Sequence, residues 1–236
     1  MSVLNSKHEN VTLQLKTNIG YFHLLTLAYV LFFIISNTSA VKIGVFFGRY
    51  LDTGTLYFPL LYILNDVITE VYGFRTSRKV IWLTIACNLL FSLALYIAVM
   101  LPGAVEVESN QSFNTVFAMS PRIVLASVSA FLIGEYVNSL VLSLSKIKMQ
   151  GRWFGVRAIV STAIGVTIES TMFAFIAFYG VVGAYEVMEM TVLLVLIKVL
   201  YELISLPITT RIVAFLKHRE GLDYYDYGTK FNLLPW

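Results

Sequence analysis

The chain has 236 residues, 58% hydrophobic and 13% charged, with a net charge of +3 and a mean hydropathy of +0.76. Soluble domains average about 45–50% apolar and about 25% charged residues, so this balance excludes an ordinary soluble fold and reads as an integral membrane protein. The basic residues lie mostly in short connecting segments, which argues against nucleic-acid binding, and the single Cys87 excludes an intramolecular disulfide framework.

Six apolar stretches, at about residues 21–44, 56–73, 80–102, 122–145, 156–181 and 187–216, are long enough to cross roughly 30 Å of hydrocarbon. The expected fold is an all-α integral membrane protein with six transmembrane helices. Residues 1–20 form an N-terminal arm, 21–216 the transmembrane domain and 217–236 a C-terminal tail. The first stretch begins at the interfacial aromatics Tyr21 and Phe22 and ends in a polar knot, Ser36-Asn37-Thr38-Ser39, followed by Lys42. Lys16, the apolar run and "SNTSA" also resemble a signal peptide, but removing them would leave five spans and break the charge alternation, so an uncleaved helix is preferred. The second stretch, within "LLYILNDVITEVYGFRTSRK" at 60–79, places Asn65, Asp66, Thr69 and Glu70 within two helical turns. The third carries Thr84, Asn88 and Ser92, and the fourth carries Ser127, Ser129, Glu135 and Asn138. The fifth has Glu169 between Thr167 and Ser170; the sixth has Lys198 and Glu202 at i and i+4, and Pro207, where a bend is expected.

Orientation follows from the Lys/Arg bias of short loops. Arg75, Arg78 and Lys79 follow the second stretch, and Lys146, Lys148, Arg152 and Arg157 lie around the fourth-to-fifth connection. Arg211, Lys217 and Arg219 mark the C-terminal side, and Lys7 and Lys16 the N-terminal arm. The third-to-fourth loop is acidic, with Glu106 and Glu108, and the fifth-to-sixth carries Glu186. Every basic segment falls on one side if both termini are cytoplasmic, as in a multi-pass protein of the inner (plasma) membrane.

Five carboxylates (Asp66, Glu70, Glu135, Glu169, Glu202) fall at membrane depth against one deep cation, Lys198. Each isolated charge at a helix centre costs about 2.5–3.5 kcal/mol, so the set would cost over ~12 kcal/mol. Some of these groups must be protonated, paired, or turned to a wet cavity. Interhelical hydrogen bonding accounts for Thr84, Asn88, Ser92, Ser127 and Ser129, but it needs no ionisable groups. The carboxylates therefore read as a binding site, with Lys198 and Glu202 either part of it or a structural ion pair. Gly134 and Gly165 read as sites of close helix approach. Phe and Tyr residues in the first and fifth spans read as mostly packed or lipid-facing, with a few available to stack on a flat ligand.

A central acid-rich site in a six-helix protein is a transport architecture before it is an enzyme. There is no GxxxxGK[ST] and no HExxH, Asp66 is the lone deep aspartate, and no Cys/His cluster calls for a metal; nothing calls for a cofactor.

The segments "NDVITEVYGFRTSRK" (65–79), "FLIGEYVNSLVL" (131–142), "RAIVSTAIGVTIESTMFAFIAF" (157–178), "KVLYELISLPIT" (198–209) and "DYGTKFN" (226–232) resemble those of the queuosine precursor transporter family, within the wider vitamin uptake transporter group. The resemblance covers nearly the whole chain in order and departs at Ser170, where relatives carry an aspartate nearby. It implies uptake of the 7-deazaguanine bases preQ0 and preQ1. It also implies a substrate-binding set of Asn37, Asn65, Asp66, Glu70, Glu135, Asn138, Glu169, Lys198 and Glu202. The expected partners are that small molecule and the lipid bilayer; a homodimer is compatible with so small a bundle. A substrate-binding subunit that needs a separate ATP-driven module, and a membrane enzyme, are the alternative readings. Proton coupling and facilitated diffusion both suit buried carboxylates.

Overall fold

The structure, a computed structural model, describes residues 2–46, 49–103, 109–117, 121–180 and 183–234. Its elements in chain order are α1 (Ser2–Ser39), a hairpin of β1 (Ile43–Phe46) and β2 (Arg49–Asp52), a 3-10 turn (Thr53–Leu56), α2 (Phe58–Tyr72), α3 (Phe74–Met100), α4 (Ser109–Phe117), α5 (Pro121–Lys148), α6 (Phe154–Phe178) and α7 (Ala184–Glu220). The acidic Glu106 and Glu108 lie outside the described residues.

The helical membrane architecture expected from composition is present, with corrections to its spans. Five segments are long and apolar enough to cross a membrane: Gly20–Ser39, α3, Arg122–Lys148, α6 and α7. The expected second span is α2, which has only 15 residues and reaches about 22 Å. That is short of the roughly 30 Å hydrocarbon thickness. The helix is sheltered instead: α1, α3, α5 and α7 pack around it, burying among others Leu61, Asn65, Asp66, Ile68 and Glu70.

The first span ends at Ser39 rather than near 44, because the chain turns into the antiparallel hairpin, with Ile43 opposite Asp52 and Phe46 opposite Arg49. Hydropathy alone merges that short apolar strand with the preceding helix. Asp52 then caps the 3-10 turn, accepting from Thr55 N at 3.0 Å and Thr55 Oγ1 at 3.0 Å. Ser36 Oγ ties the end of α1 to this turn by donating to Gly54 O at 2.9 Å.

The loop expected after the second span is helical. Gly73, at φ +85°, ends α2, and Phe74 opens α3 directly, so Arg75, Arg78 and Lys79 occupy the first turns of α3. The chain folds back there, since Ser77 Oγ donates to Asn65 Oδ1 at 2.5 Å across the hinge. A side chain at 73 would combine a strained φ with a Cβ 2.2 Å from the Tyr224 ring.

α5 and α6 form the most extensive helix pair, and their glycines explain it as expected. A Cβ on Gly165 would lie 2.8 Å from Gly134 O and 2.9 Å from Asn138 Cβ; one on Gly134 would lie 2.4 Å from Glu169 Cβ. The apolar core joins α1, α2, α3 and α5 through Tyr29, Phe33, Leu61, Ile68, Ile81 and Phe131, with Phe33 stacked on Phe131 at 3.9 Å. α7 continues through Pro207, whose ring removes the helical hydrogen bond to the Leu203 carbonyl.

Candidate functional site

α2, α5 and α7 run from one end of the bundle to the other and α6 runs back between them, arranging the polar side chains in three layers. The outermost borders a cavity of about 570 Å³ at the end opposite the basic residues, lined among others by Asn37, Phe58, Asn88, Ser127, Glu169 and Lys198. Its rim includes the exposed side chains of Val41, Val116, Ile123 and Met190. Lys198 Nζ donates to Glu169 Oε2 in an ion pair and to Ser170 Oγ at 3.5 Å. The same ammonium lies 4.2 Å from the Phe58 ring centroid, where the ring's negative face attracts it. Beside this pair, Asn37 donates to Asn88 Oδ1 at 3.1 Å and accepts from Ser127 Oγ at 2.9 Å. Phe173 and Phe178 add aromatic faces to the wall. A volume of this size falls within the about 300–1,000 Å³ typical of small-molecule pockets.

The middle layer is buried. Asn65 Nδ2 donates to Glu135 Oε2 at 2.5 Å and to Ser139 Oγ at 2.8 Å, and the Ser77 and Ser139 hydroxyls are 2.9 Å apart. Asn138 Nδ2 donates to Asp66 Oδ1 at 2.8 Å. Glu202 completes the layer from α7, buried to 1% exposure.

The third layer closes the basic end. Glu70, with no exposed surface, accepts from Arg157 Nη1 at 2.8 Å and Nη2 at 3.1 Å. Lys217 Nζ donates to Oε1, the oxygen that also accepts from Arg157 Nη2, at 2.6 Å, and Lys146 lies 3.6 Å away. Lys146 and Lys217 also bind Asp223 Oδ1, at 2.6 and 2.8 Å. Burial pushes the Asp223 carboxyl up, but the hydrogen bonds from Lys146 and Lys217 outweigh it and hold the group below its ordinary value. The C-terminal tail, from Gly221, straps this end. Asp226 Oδ2 accepts from Phe74 N at 2.9 Å and Ser143 Oγ at 2.7 Å. It thereby supplies negative charge to an α3 N-terminus whose own first turns are basic. Arg78 donates to the Asn232 carbonyl, Trp82 Nε1 to Leu233 O at 2.9 Å and Tyr136 to Phe231 O at 2.9 Å.

Of the nine residues expected to bind substrate, Asn37, Glu169 and Lys198 line the cavity together. Asn65, Asp66, Glu135, Asn138 and Glu202 form the buried layer beneath it. Glu70 sits apart in the ionic end, where three cations surround it; the balance of deep charges read from sequence counted none of them. Lys198 turns to Glu169 rather than to Glu202, so the i, i+4 ion pair on α7 is corrected to one between α6 and α7. Asn88 and Ser127, read as helix glue, do bond between helices and also line the cavity. Phe58 was missed; its only signal was an aromatic at the helix start beside Pro59. Among the described residues, no group of three His, Cys, Asp or Glu side chains is placed to hold a metal ion.

A family model described as "Putative vitamin uptake transporter" matches residues 52–212. The chain is 27% identical over 173 residues to "Probable queuosine precursor transporter" of Bacillus subtilis (strain 168), covering 73% of this chain and 76% of that protein. It is 23% identical over 167 residues to a protein of the same name from Haemophilus influenzae (strain ATCC 51907 / DSM 11121 / KW20 / Rd), covering 68% of each. No solved structure matches.

Proposed function

We propose that this chain, which belongs to the putative vitamin uptake transporter family, imports queuosine precursors of the 7-deazaguanine class across the plasma membrane. It is a multi-pass membrane protein and a transporter rather than an enzyme. The names of its two relatives and the chemistry of the cavity support the substrate class. A 7-deazaguanine presents a ring N–H and an exocyclic amine side by side, a donor pair that one carboxylate accepts through both oxygens. Glu169 takes that edge, Lys198 donates to the adjacent ring carbonyl, and Asn37 serves the pyrrole side. Phe58 covers a face of the ring.

The observation that carries this reading is the Glu169–Lys198 pair lining a cavity of about 570 Å³ beside an aromatic ring. The basic end with its tail is the cytoplasmic end, by the Lys/Arg rule. With α2 counted as a sixth, sheltered span, both termini lie on that side, and the cavity faces outward.

Binding of preQ0, preQ1, queuine and the nucleoside to purified protein tests the substrate class. Glu169→Ala removes a charge-assisted acceptor worth about 1.5–3 kcal/mol, so affinity for preQ0 falls at least about tenfold. Unchanged affinity in Glu169→Ala and Lys198→Ala overturns the site. Uptake by the protein alone in proteoliposomes separates a self-sufficient transporter from a subunit that needs an ATP-driven module.

A further inference from the structure

Beneath the cavity, α2 and α7 hold two carboxylates that the substrate contacts do not use. Asp66 is 0% exposed and Glu202 1%. Asp66 receives one hydrogen bond, from Asn138; its Oδ2, and both oxygens of Glu202, have no hydrogen-bond partner among the described residues. The Asn138 Oδ1 acceptor is likewise buried without a donor. Asp66 and Glu202 interact electrostatically, and the other ionisable groups that face Asp66 are acidic or phenolic. They are Glu135 from α5, Glu70 further along α2, Tyr62 on α2 and Tyr29 from α1.

The cations of the bundle are engaged elsewhere. Lys198, one turn from Glu202, is paired with Glu169 from α6, and Arg157, Lys146 and Lys217 surround Glu70. Two buried carboxylates left ionised and unpaired would cost several kcal/mol each. Protonation neutralises such a carboxyl without further ligands and turns it into a donor for an orphaned acceptor such as Asn138 Oδ1.

We propose that Asp66 and Glu202 form a proton-binding pair that couples import to proton flow; the proposal rests on the uptake reading above. The pair keeps one shared proton throughout and takes up a second from the cavity side while substrate is bound at Glu169. The second proton leaves to water at the basic end as substrate is released there, and the pair returns without it. Two helices connect the events. α7 carries Lys198 and Glu202 about 6 Å apart along its axis, and α2 carries Phe58 and Asp66 about 12 Å apart. When a ligand takes over Glu169, Lys198 loses its partner, and its displacement bears directly on Glu202.

The test uses full-length protein in proteoliposomes and preQ0, a base without the aminomethyl cation, so that a pH effect does not arise from the substrate. Wild type exchanges internal unlabelled for external labelled preQ0 without any gradient. An external pH one unit below the internal drives up to about tenfold accumulation, since one pH unit is about 1.4 kcal/mol per proton. Added preQ0 makes the external medium more alkaline. Asp66→Asn and Glu202→Gln keep preQ0 binding and exchange but lose the response to the gradient. In wild type, active exchange with accumulation indifferent to the gradient overturns the proton pair; so does full gradient response in both variants, or loss of preQ0 binding in both. The alkalinisation needs no variant, so a misfolded substitution leaves the proposal exposed to refutation. Absence of preQ0 exchange in wild type refutes the substrate reading instead, and the coupling with it.

Discussion

The two ends of the bundle are built from different interactions. At the basic end, charged groups from α2, α5, α6, α7 and the tail converge on Glu70 and Asp223, and tail carbonyls take donors from α3 and α5. At the cavity end, neutral hydrogen bonds among Asn37, Asn88 and Ser127, with a single ion pair, Glu169–Lys198, border open space. One end is locked by bonds whose loss leaves buried charges; the other is held by contacts that water or a ligand can replace. Opening the basic end therefore demands that several charged contacts be exchanged together, whereas the cavity end is accessible as it stands.

The largest effect is expected at Arg157. It holds both oxygens of Glu70 with neither side chain exposed, and removing one partner of such a pair costs about 3–5 kcal/mol. Arg157→Ala should lower the melting temperature in detergent far more than Ser127→Ala at the cavity end. Equal, small losses would dissolve the contrast between the ends.

Next comes Asp226, whose carboxylate caps α3 and accepts from Ser143. Asp226→Ala should cost about 1 kcal/mol, as for a lost N-cap, and release the tail. With Trp153 and Trp236 replaced by Phe, the Trp82 emission should shift to the red as its bond to Leu233 is lost. An unshifted spectrum would mean that the tail is held without this cap.

The smallest effect is a pH dependence. Asp223 is held below its ordinary value of about 3.9, so its contribution is full above that value and is lost as pH falls through the lower folded one. The group is partly exposed, which keeps the effect modest. The stability difference between wild type and Asp223→Asn should shrink between pH 6 and pH 3. A gap that widens on acidification would reverse the assigned sign.

Hydropathy is a local property, and it led from composition to a helical membrane fold and to most helix positions. Asn37, Glu169 and Lys198, which line the cavity, were legible as candidate site residues because polar groups at membrane depth need a reason. Glu70 was legible as unusual but not as separate from Asp66 one turn away. Its partners Arg157 and Lys217 lie 87 and 147 residues later, and only the helix packing brings them to it. Gly73 separates α2 from α3, but the basic run after it read as a loop. The helix there is capped by Asp226, 152 residues downstream. The tail's grip on Arg78, Trp82 and Tyr136 runs through backbone carbonyls, which leave no side-chain pattern to read.

The brevity of α2 bears on how the protein is made. A helix of 15 residues carrying Asn65, Asp66, Thr69 and Glu70 gains too little from lipid to insert by itself, since charges at membrane depth are penalised at insertion. Its single-residue junction with α3 makes the two enter as a hairpin, with the longer apolar helix carrying the shorter. Its polar face then waits in the bilayer for α5, α6 and α7, the last of which supplies Lys217. The polar layers are thus completed only once α7 has been made, and a product truncated before α7 would leave unshielded carboxylates in the membrane, the kind of defect that quality-control proteases recognise.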